Sequence, residues 1–309
     1  MYPRVRGWSN QHFDKAMLLG FSGYKVGMTH LMGVDTKKTS PTRDDEISVP
    51  VTVIECPPLK IFSARFYKQN AYGFIVAKEF IFKPSKDMMR TISMPKDVPD
   101  IKELDSLNPD DYAYISALVY TQPRLAGVSK KKPETFELKL SGTNKEKLDF
   151  IKSRVDKDIM VDEVFKEAQT VDVRGVTRGR GIQGPVRRFG ISLKQHKTEK
   201  GRRQPGSRGA WCAQQHTMYR TAYSGQTGFH QRTQLNLQIM KIGTKPEEIN
   251  PKDGFVHYGN VKTTYLLIKG SVQGSKKRMI ILTQPLRRVK REMPLPTITH
   301  ISLQSKQGR

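Results

Sequence analysis

The sequence predicts a β-rich fold in which one body is interrupted by an α+β insertion and by a long basic excursion. Short apolar segments rich in β-branched and aromatic residues recur along the chain, as is typical of strands. Between residues 84 and 170 the charges balance, with 15 basic and 16 acidic residues, and apolar residues appear at helical spacing. From residue 178 to residue 210 glycine and arginine are dense, and neither the strand period nor the helix period holds.

The predicted body is formed by two stretches of strands, residues 21–83 and 225–284. Residues 1–20 are polar and basic, and we expect them to form an irregular arm. Strand patterns follow at 21–30, 49–55 and 72–82, and prolines at 57 and 58 end the second of these because proline donates no ladder hydrogen bond. Further strands are predicted at 170–177, 235–242, 265–269 and 279–283. Each strand is too short to be stable alone, so we expect the two stretches to pair in one body.

Residues 84–170 are predicted to form an α+β insertion with a small core of its own. Residues 108–110 indicate a turn, and residues 112–120 a strand. Thr143 and Glu146 have the spacing of a capping box, in which each side chain accepts from a backbone N–H at the start of a helix. Two apolar helical faces follow, formed by Leu148, Ile151 and Val155 and by Val161, Val164, Phe165 and Ala168.

The net charge is +25 and is concentrated in two segments. Residues 171–234 contain 13 basic and two acidic residues, and residues 276–309 contain nine basic residues and one acidic residue. Such a surplus repels itself in an isolated globule, so the charge indicates a polyanionic partner, either nucleic acid or an anionic membrane. No apolar run reaches the roughly 18 residues that a membrane-spanning helix needs. We expect residues 285–309 to form a basic tail and residues 171–224 to form the excursion.

No pattern in the sequence indicates a catalytic site, a metal site or a cofactor. Cys56 and Cys212 are too few for a disulfide framework or a four-thiolate zinc site, and the histidines lack metal-ligand spacing. Residues 179–184 match the G-x-G-x-x-G pattern of dinucleotide loops, but no amphipathic helix follows them. We interpret these glycines as allowing close approach of the backbone to a phosphate-rich surface. We therefore expect no catalytic activity, cofactor, metal or small-molecule substrate.

Aromatic residues interrupt the excursion at positions 189, 211, 219, 223 and 229. Basic side chains contact phosphates, and aromatic rings stack on unpaired bases, so this mixture is typical of RNA binding. Some of these rings could instead belong to the core of the body, and Phe229 is the strongest candidate for that alternative. Trp211 lies far from any apolar run, so we expect a partner surface to cover it.

Several long segments resemble the archaeal and eukaryotic form of the universal large-subunit ribosomal protein three. The longest are DVRGVTRGRGIQGPVRRFG at residues 172–190 and GQTGFHQRT at residues 225–233. Shorter matching segments lie at residues 20–30, 50–55, 130–134, 254–259 and 267–272. The matches follow the order of the family from about residue 3 to about residue 290.

The resemblance implies a β-barrel body of the type shared with translation factors, an α+β insertion, and an extended internal loop buried in large-subunit rRNA. The tip of this loop, Gly209 and Trp211, is expected near the peptidyl-transferase centre. The implied function is that of a structural constituent of the cytoplasmic ribosome, with rRNA and neighbouring ribosomal proteins as partners. The residues expected to bind rRNA are Arg174, Arg178, Arg180, Arg187, Arg188, Lys194, Lys197, Lys200, Arg202, Arg203, Arg208, Trp211, His216, Arg220, His230 and Arg232.

Two other functions are compatible with so basic a chain. An RNA-modifying or RNA-cleaving enzyme needs a cofactor loop or an acid–base pair, and the sequence supports neither. A DNA-binding chromatin protein would account for a basic tail, but a glycine-rich excursion of this length inside the chain fits RNA better.

Overall fold

The computed structural model describes residues 3–9, 13, 15–83, 85–93, 101–104, 106–209, 220–287, 293–305 and 307. The strands are β1 Gly20–Val34, β2 Glu46–Glu55, β3 Leu59–Asn70, β4 Gly73–Ile81, β5 Tyr114–Thr121, β6 Thr135–Lys139, β7 Thr170–Val176, β8 Ile182–Gln183, β9 Gly225–Gln226, β10 Gln231–Gly243, β11 Tyr265–Lys269, β12 Met279–Thr283 and β13 Thr297–Ile301. The α-helices are α1 Asn144–Arg154 and α2 Pro185–Phe189, and short 3-10 turns lie at Lys86–Arg90, Ile101–Leu104, Pro109–Asp111, Val161–Glu163 and Pro246–Glu248.

Six strands close into a ring that forms the body. Their order is β12, β7, β10, β11, β2 and β1, and β1 pairs again with β12, from Gly20 opposite Thr283 to Tyr24 opposite Met279. Every neighbouring pair in the ring is antiparallel. A closed ring leaves no strand edge unpaired along its circumference. This arrangement confirms the predicted β-rich fold with a barrel-like body.

Two elements of the ring differ from the ranges expected from the sequence. Strand β7 lies between β12 and β10, so the excursion leaves the ring after Val176 and not at residue 171. Strand β13, in the segment expected to be a basic tail, pairs with the far half of β1. β1 is 15 residues long, and its first half pairs with β12 while its second half pairs with β13, so one long strand serves two partners.

A second sheet has the strand order β4, β3, β5, β6 and is antiparallel throughout. The chain enters it directly after β2, because Cys56, Pro57 and Pro58 end that strand and turn the chain out of the ring. Strands β3 and β4 therefore belong to the same sheet as the insertion strands β5 and β6, although residues 59–83 were expected in the body. α1 packs on this sheet through Leu148 and Ile151.

The local prediction for α1 is confirmed by its cap. Thr143 Oγ1 accepts from the backbone N–H of Glu146 at 3.4 Å, and a Glu146 carboxylate oxygen accepts from the N–H of Thr143 at 3.0 Å. The second predicted helical face is only a 3-10 turn at Val161–Glu163, although Val161, Val164 and Phe165 are buried as expected. Ala168, the fourth residue of that predicted face, is exposed, so the pattern predicted burial correctly at three of four positions and overestimated the length of the helix.

A buried carboxylate joins the ring to the loops that cover one end of it. Glu55, at the end of β2, is fully buried, and one carboxylate oxygen accepts from the backbone N–H groups of Lys262 at 2.6 Å and Thr263 at 3.0 Å. The other oxygen accepts from the N–H of Gly127 at 2.9 Å and from the Tyr258 hydroxyl. Burial and the nearby Glu55 carboxylate raise the pKa of Tyr258 far above its ordinary value. Two separate connections, β5–β6 and β10–β11, are therefore held to one side chain.

Candidate RNA interface

The excursion leaves the ring as a hairpin whose two arms are joined by backbone hydrogen bonds. β7 and β10 pair as far as Val176 opposite Gln231, and the N–H of Thr177 donates to the carbonyl of His230 at 2.9 Å. Farther out, the N–H of Arg180 donates to the carbonyl of Thr227 at 2.9 Å. Strands β8 and β9 then pair over two residues each. The root of the excursion is therefore a continuation of the body's sheet.

One glycine is required at this root. Gly228 has a φ of +71°, which L residues with a side chain rarely adopt. A Cβ on Gly228 would lie 2.0 Å from the carbonyl oxygen of Arg178 on the opposite arm. Because that oxygen belongs to the backbone, no side-chain rotation relieves the contact. The close approach of the two arms depends on the missing side chain.

A short helix, α2, follows the root, although the sequence indicated none. Pro185 occupies its first turn, where proline costs no hydrogen bond, and Gly190 ends it in the left-handed conformation at a φ of +69°. Five residues are too few for an apolar periodicity to show. Arg187 and Arg188 are exposed on this helix, and Arg188 Nη1 donates to the carbonyl of Tyr223 at 3.0 Å across the hairpin.

Beyond α2 the hairpin is held together by local contacts of the backbone and of arginine. The N–H of Lys194 donates to the carbonyl of Arg202 at 3.2 Å, and Arg202 Nε donates to the carbonyl of Lys194 at 3.2 Å. The Arg208 guanidinium lies 3.9 Å from the centre of the Tyr223 ring. These contacts leave the apolar side chains of Ile182, Leu193 and Tyr223 exposed. The part of the outer excursion that the structure describes therefore has no core of its own.

Most of the basic residues expected at the interface point into solvent. Lys194 and His230 are partly exposed, and the exposed ones are Arg178, Arg180, Arg187, Arg188, Lys197, Lys200, Arg202, Arg203, Arg208, Arg220 and Arg232. Within the described part of the chain, none of these 13 side chains forms an ion pair with a carboxylate. Trp211 and His216 lie outside the described residues. Gly209, the other residue expected at the tip, is exposed with a φ of +133°.

Arg174 differs from the other basic residues in this set. It lies on β7 inside the sheet and is only 3% exposed. Its guanidinium donates to the carbonyl of Gly7 at 3.0 Å and to the hydroxyl of Thr283. Burial lowers its pKa from the usual value, with Asp172 opposing that effect. Arg174 thus ties the N-terminal arm to the ring, and its buried side chain leaves it outside the exposed surface.

Phe229 is exposed and does not belong to the core of the body, contrary to the alternative weighed for it. The Arg278 guanidinium lies 5.6 Å from its ring centre and donates to the carbonyls of Val176 at 3.1 Å and Thr177 at 2.9 Å. Arg278 therefore links the ring to the backbone at the root of the excursion. The sequence identified Arg278 only as one of the basic residues of segment 276–309 and predicted no contact with the excursion.

The structure also shows a basic cavity beside the root that sequence reasoning missed. It has a volume of about 630 Å³, and its lining includes Lys25, Arg178, His257 and Lys276. Lys25 Nζ donates to the carbonyls of Val272 and Gly274, and burial lowers the pKa of Lys25, with Lys276 adding to the effect. These residues are far apart in the sequence, so only the closed ring brings their charges together.

No three His, Cys, Asp or Glu side chains of the described residues are grouped closely enough to hold a metal ion. None of the helices in those residues is long and apolar enough to cross a membrane.

The chain is similar to known ribosomal proteins over nearly its whole length. The family model described as Ribosomal protein L3 matches residues 1–308. The large ribosomal subunit protein uL3 of Archaeoglobus fulgidus is 40% identical over 99% of this chain and 93% of its own length. Those of Methanosphaera stadtmanae and Sulfurisphaera tokodaii are 41% and 40% identical, over 99% of this chain and 93% and 92% of their own lengths. The chain therefore belongs to the ribosomal protein L3 family, as a structural constituent of the large ribosomal subunit and not an enzyme.

Proposed function

We propose that this protein anchors its ring at the large subunit and binds large-subunit rRNA through the excursion, residues 177–230. Membership in the family supports rRNA and ribosomal proteins as its partners and the ribosome as its location. On this basis the protein acts in the cytoplasm, where it holds rRNA segments together during subunit assembly. The role is one of binding and positioning, and any catalysis belongs to the RNA.

The observation that carries this proposal is the charge of the excursion. Between residues 177 and 224 the sequence has 11 basic residues and a single acidic one, Glu199. The described basic residues of this segment lack carboxylate partners, so their charges are available to phosphates. Neutralising phosphates releases condensed counterions, which favours binding and makes it depend steeply on salt. The described part of the excursion has no core. Surrounding RNA would therefore supply packing contacts to its side chains.

The tip is the part of the excursion proposed to lie nearest the peptidyl-transferase centre. The resemblance to the family supports assigning Gly209 and Trp211 to this tip. The described part of the excursion leads away from the ring as a narrow hairpin, which suits a path between RNA helices. Small residues such as Gly206 and Gly209 leave room for the backbone to approach phosphates where larger side chains would clash.

Salt dependence tests the binding surface directly. If about eight side chains contact phosphates, the slope of log Kd against log salt is roughly 6 to 7, and affinity falls by about 10³–10⁵ between 50 and 200 mM salt. Arg202→Ala with Arg203→Ala should lower that slope by about 1.5. The matched control is Lys37→Ala with Lys38→Ala, which removes two exposed cations on the β1–β2 turn. Equal slopes for both double variants would contradict the assignment of the surface.

A directed cleavage experiment tests the position of the tip. Ser207 is exposed, Cys56 is fully buried, and Ser207→Cys in a Cys212→Ser background therefore leaves one reactive thiol. An iron chelate attached to that thiol and activated in purified subunits should cleave rRNA of the peptidyl-transferase region. The same chelate at Lys38→Cys, on the turn of the ring, should cleave elsewhere. Cleavage only at the subunit surface from position 207 would refute the proposed path.

A further inference from the structure

We propose that the free edge of β4 is a docking site for an extended segment of a neighbouring ribosomal protein, which adds to the second sheet as a further strand. The inference rests on the proposed function, because it places the chain in the large subunit. It concerns a different surface from the RNA interface. The hairpin that carries this edge consists of β3, the turn at residues 71–72, and β4.

The hairpin exposes large apolar side chains in succession. Tyr72 is 99% exposed, Phe74 56%, Ile75 52% and Val76 48%. Successive residues of a strand point to opposite faces, so both faces of this strand present apolar surface. Isolated apolar residues on a surface are ordinary, but a contiguous group marks an interaction site. The group lies where the hairpin extends past the core residues Phe66 and Phe80.

One side of β4 pairs with no strand of the described residues. β4 is the terminal strand of its sheet and pairs with β3 alone among those strands. An edge strand of nine residues, seven of them exposed, is a template for another strand, and natural proteins usually protect such edges. Strand addition to an edge of this kind satisfies the backbone groups, while pockets between side chains select the partner.

Charge around the hairpin indicates the chemistry of the partner. Lys68, Lys78 and Lys139 lie over the rings of Tyr112, Phe80 and Tyr114, at 5.5, 4.6 and 4.4 Å from the ring centres. In the described residues none of the three lysines has a carboxylate partner. The only carboxylate of β4, Glu79, is bound by Ser63 and Arg65. The partner segment should therefore alternate apolar side chains with acidic ones.

The composition of the patch favours a protein over RNA. Ile75 and Val76 are aliphatic and provide no ring face on which a base could stack. The Tyr114 ring is already occupied, because Tyr67 stacks on it at 4.4 Å and Lys139 lies over it. The hairpin of residues 59–81 has four basic residues and one acidic residue, a surplus of three, whereas the excursion has a surplus of ten basic residues over residues 177–224. A surface made for phosphates is expected to carry the larger surplus.

Photo-crosslinking in intact, purified large subunits tests the occupant. A benzophenone amino acid replaces Ile75 in one version of the protein, Met89 in a second and Leu193 in a third. Met89 is an exposed apolar residue of the same insertion outside the patch, and Leu193 is an exposed residue of the excursion. We expect position 75 to form an adduct that resists nuclease and contains a peptide of another ribosomal protein. We expect position 89 to lack that adduct.

The outcomes at positions 75 and 193 separate this inference from the proposed function. An RNA adduct at 193 supports the proposed function whatever happens at 75, and its absence contradicts that function. If 193 yields RNA and 75 yields a nuclease-sensitive adduct or none, the docking site is refuted. An adduct between two copies of this chain at 75 would also refute it.

A charge variant measures what the edge contributes to holding the partner. Ile75→Glu with Val76→Glu should cause loss of the crosslinked protein from subunits at a salt concentration that leaves it on the parent subunits, because the change removes apolar contacts and repels an acidic segment. Both positions are exposed, so folding should be unaffected, and retention of this chain itself on rRNA should not change. Met89→Glu is the matched control. Unchanged retention of the partner in the double variant would overturn the proposal.

Discussion

Replacing Gly228 by alanine should weaken RNA binding without unfolding the body. Alanine at a φ of +71° costs about 1–2 kcal/mol relative to glycine. The new Cβ would lie 2.0 Å from the Arg178 carbonyl oxygen, so the arms must separate. Separation breaks the hydrogen bonds from Arg180 to Thr227 and from Thr227 to Gly181, at about 1 kcal/mol each. The local cost is therefore about 3–4 kcal/mol.

This cost should appear in affinity, because RNA must then order a root that the free protein no longer holds in place. A loss of 3–4 kcal/mol corresponds to a Kd about 100- to 1,000-fold higher. The assay is filter binding to large-subunit rRNA at one fixed salt concentration, with the Tm of the free protein followed by circular dichroism. Gly206→Ala is the control, since its φ is not positive and its added Cβ meets no atom within 4 Å.

Two results would refute this reasoning. Binding within a few fold of the parent would mean that the geometry of the root does not position the excursion. A fall in Tm comparable to that of a core substitution would mean that the root stabilises the ring. The ladder of β7 and β10 continues to Val176 opposite Gln231 without the Gly228 turn, so we expect the Tm to change little.

Two further predictions concern the buried tyrosines. Tyr258→Phe removes a hydrogen bond to the Glu55 carboxylate, worth about 1.5–3 kcal/mol, and should lower the Tm by about 3–10 °C, whereas Tyr72→Phe at an exposed site should not change it. Burial and the Glu134 carboxylate raise the pKa of Tyr24 well above its usual value near 10. The folded chain then keeps a proton that the unfolded chain loses, so the stability that this tyrosine contributes below pH 10 declines as the pH rises beyond 10. In urea titrations above pH 10, Tyr24→Phe should reduce that decline by about 1.4 kcal/mol per pH unit, and an unchanged decline would contradict the assignment.

The parts of the fold that follow from local patterns were predicted from the sequence. The capping box at Thr143 and the strands Tyr265–Lys269 and Met279–Thr283 are local features and were found as expected. The closure of β1 on β12 joins residues more than 250 positions apart, and no local pattern encodes it. The proline at residue 58 correctly predicted the end of a strand. No local pattern predicted that the second sheet begins one residue later, with β3.

At the candidate site, too, some features follow from local sequence and others depend on the fold. Composition alone located the excursion, because a surplus of charge is a property of a segment and needs no structure. The accessibility of each side chain is a property of the fold. Arg174 has the same formal charge as Arg178, four residues later, yet the first is buried in the sheet and the second is exposed on the hairpin. The basic cavity beside the root is likewise assembled from Lys25 and Lys276, which only the ring brings together.

The division between ring and excursion also explains why binding and stability can be altered separately. The ring and the second sheet share one apolar core, and Glu55 ties two loops to it, so substitutions there act on the free energy of unfolding. The described part of the excursion contributes exposed charge and backbone hydrogen bonds but no core, so we expect substitutions within residues 177–230 to act on affinity for RNA. Gly228 lies at the boundary between the ring and the excursion. It contacts the opposite arm of the hairpin, and its backbone conformation sets the path of the excursion beyond it. A residue at that boundary is the one whose replacement should separate the two measurements most clearly.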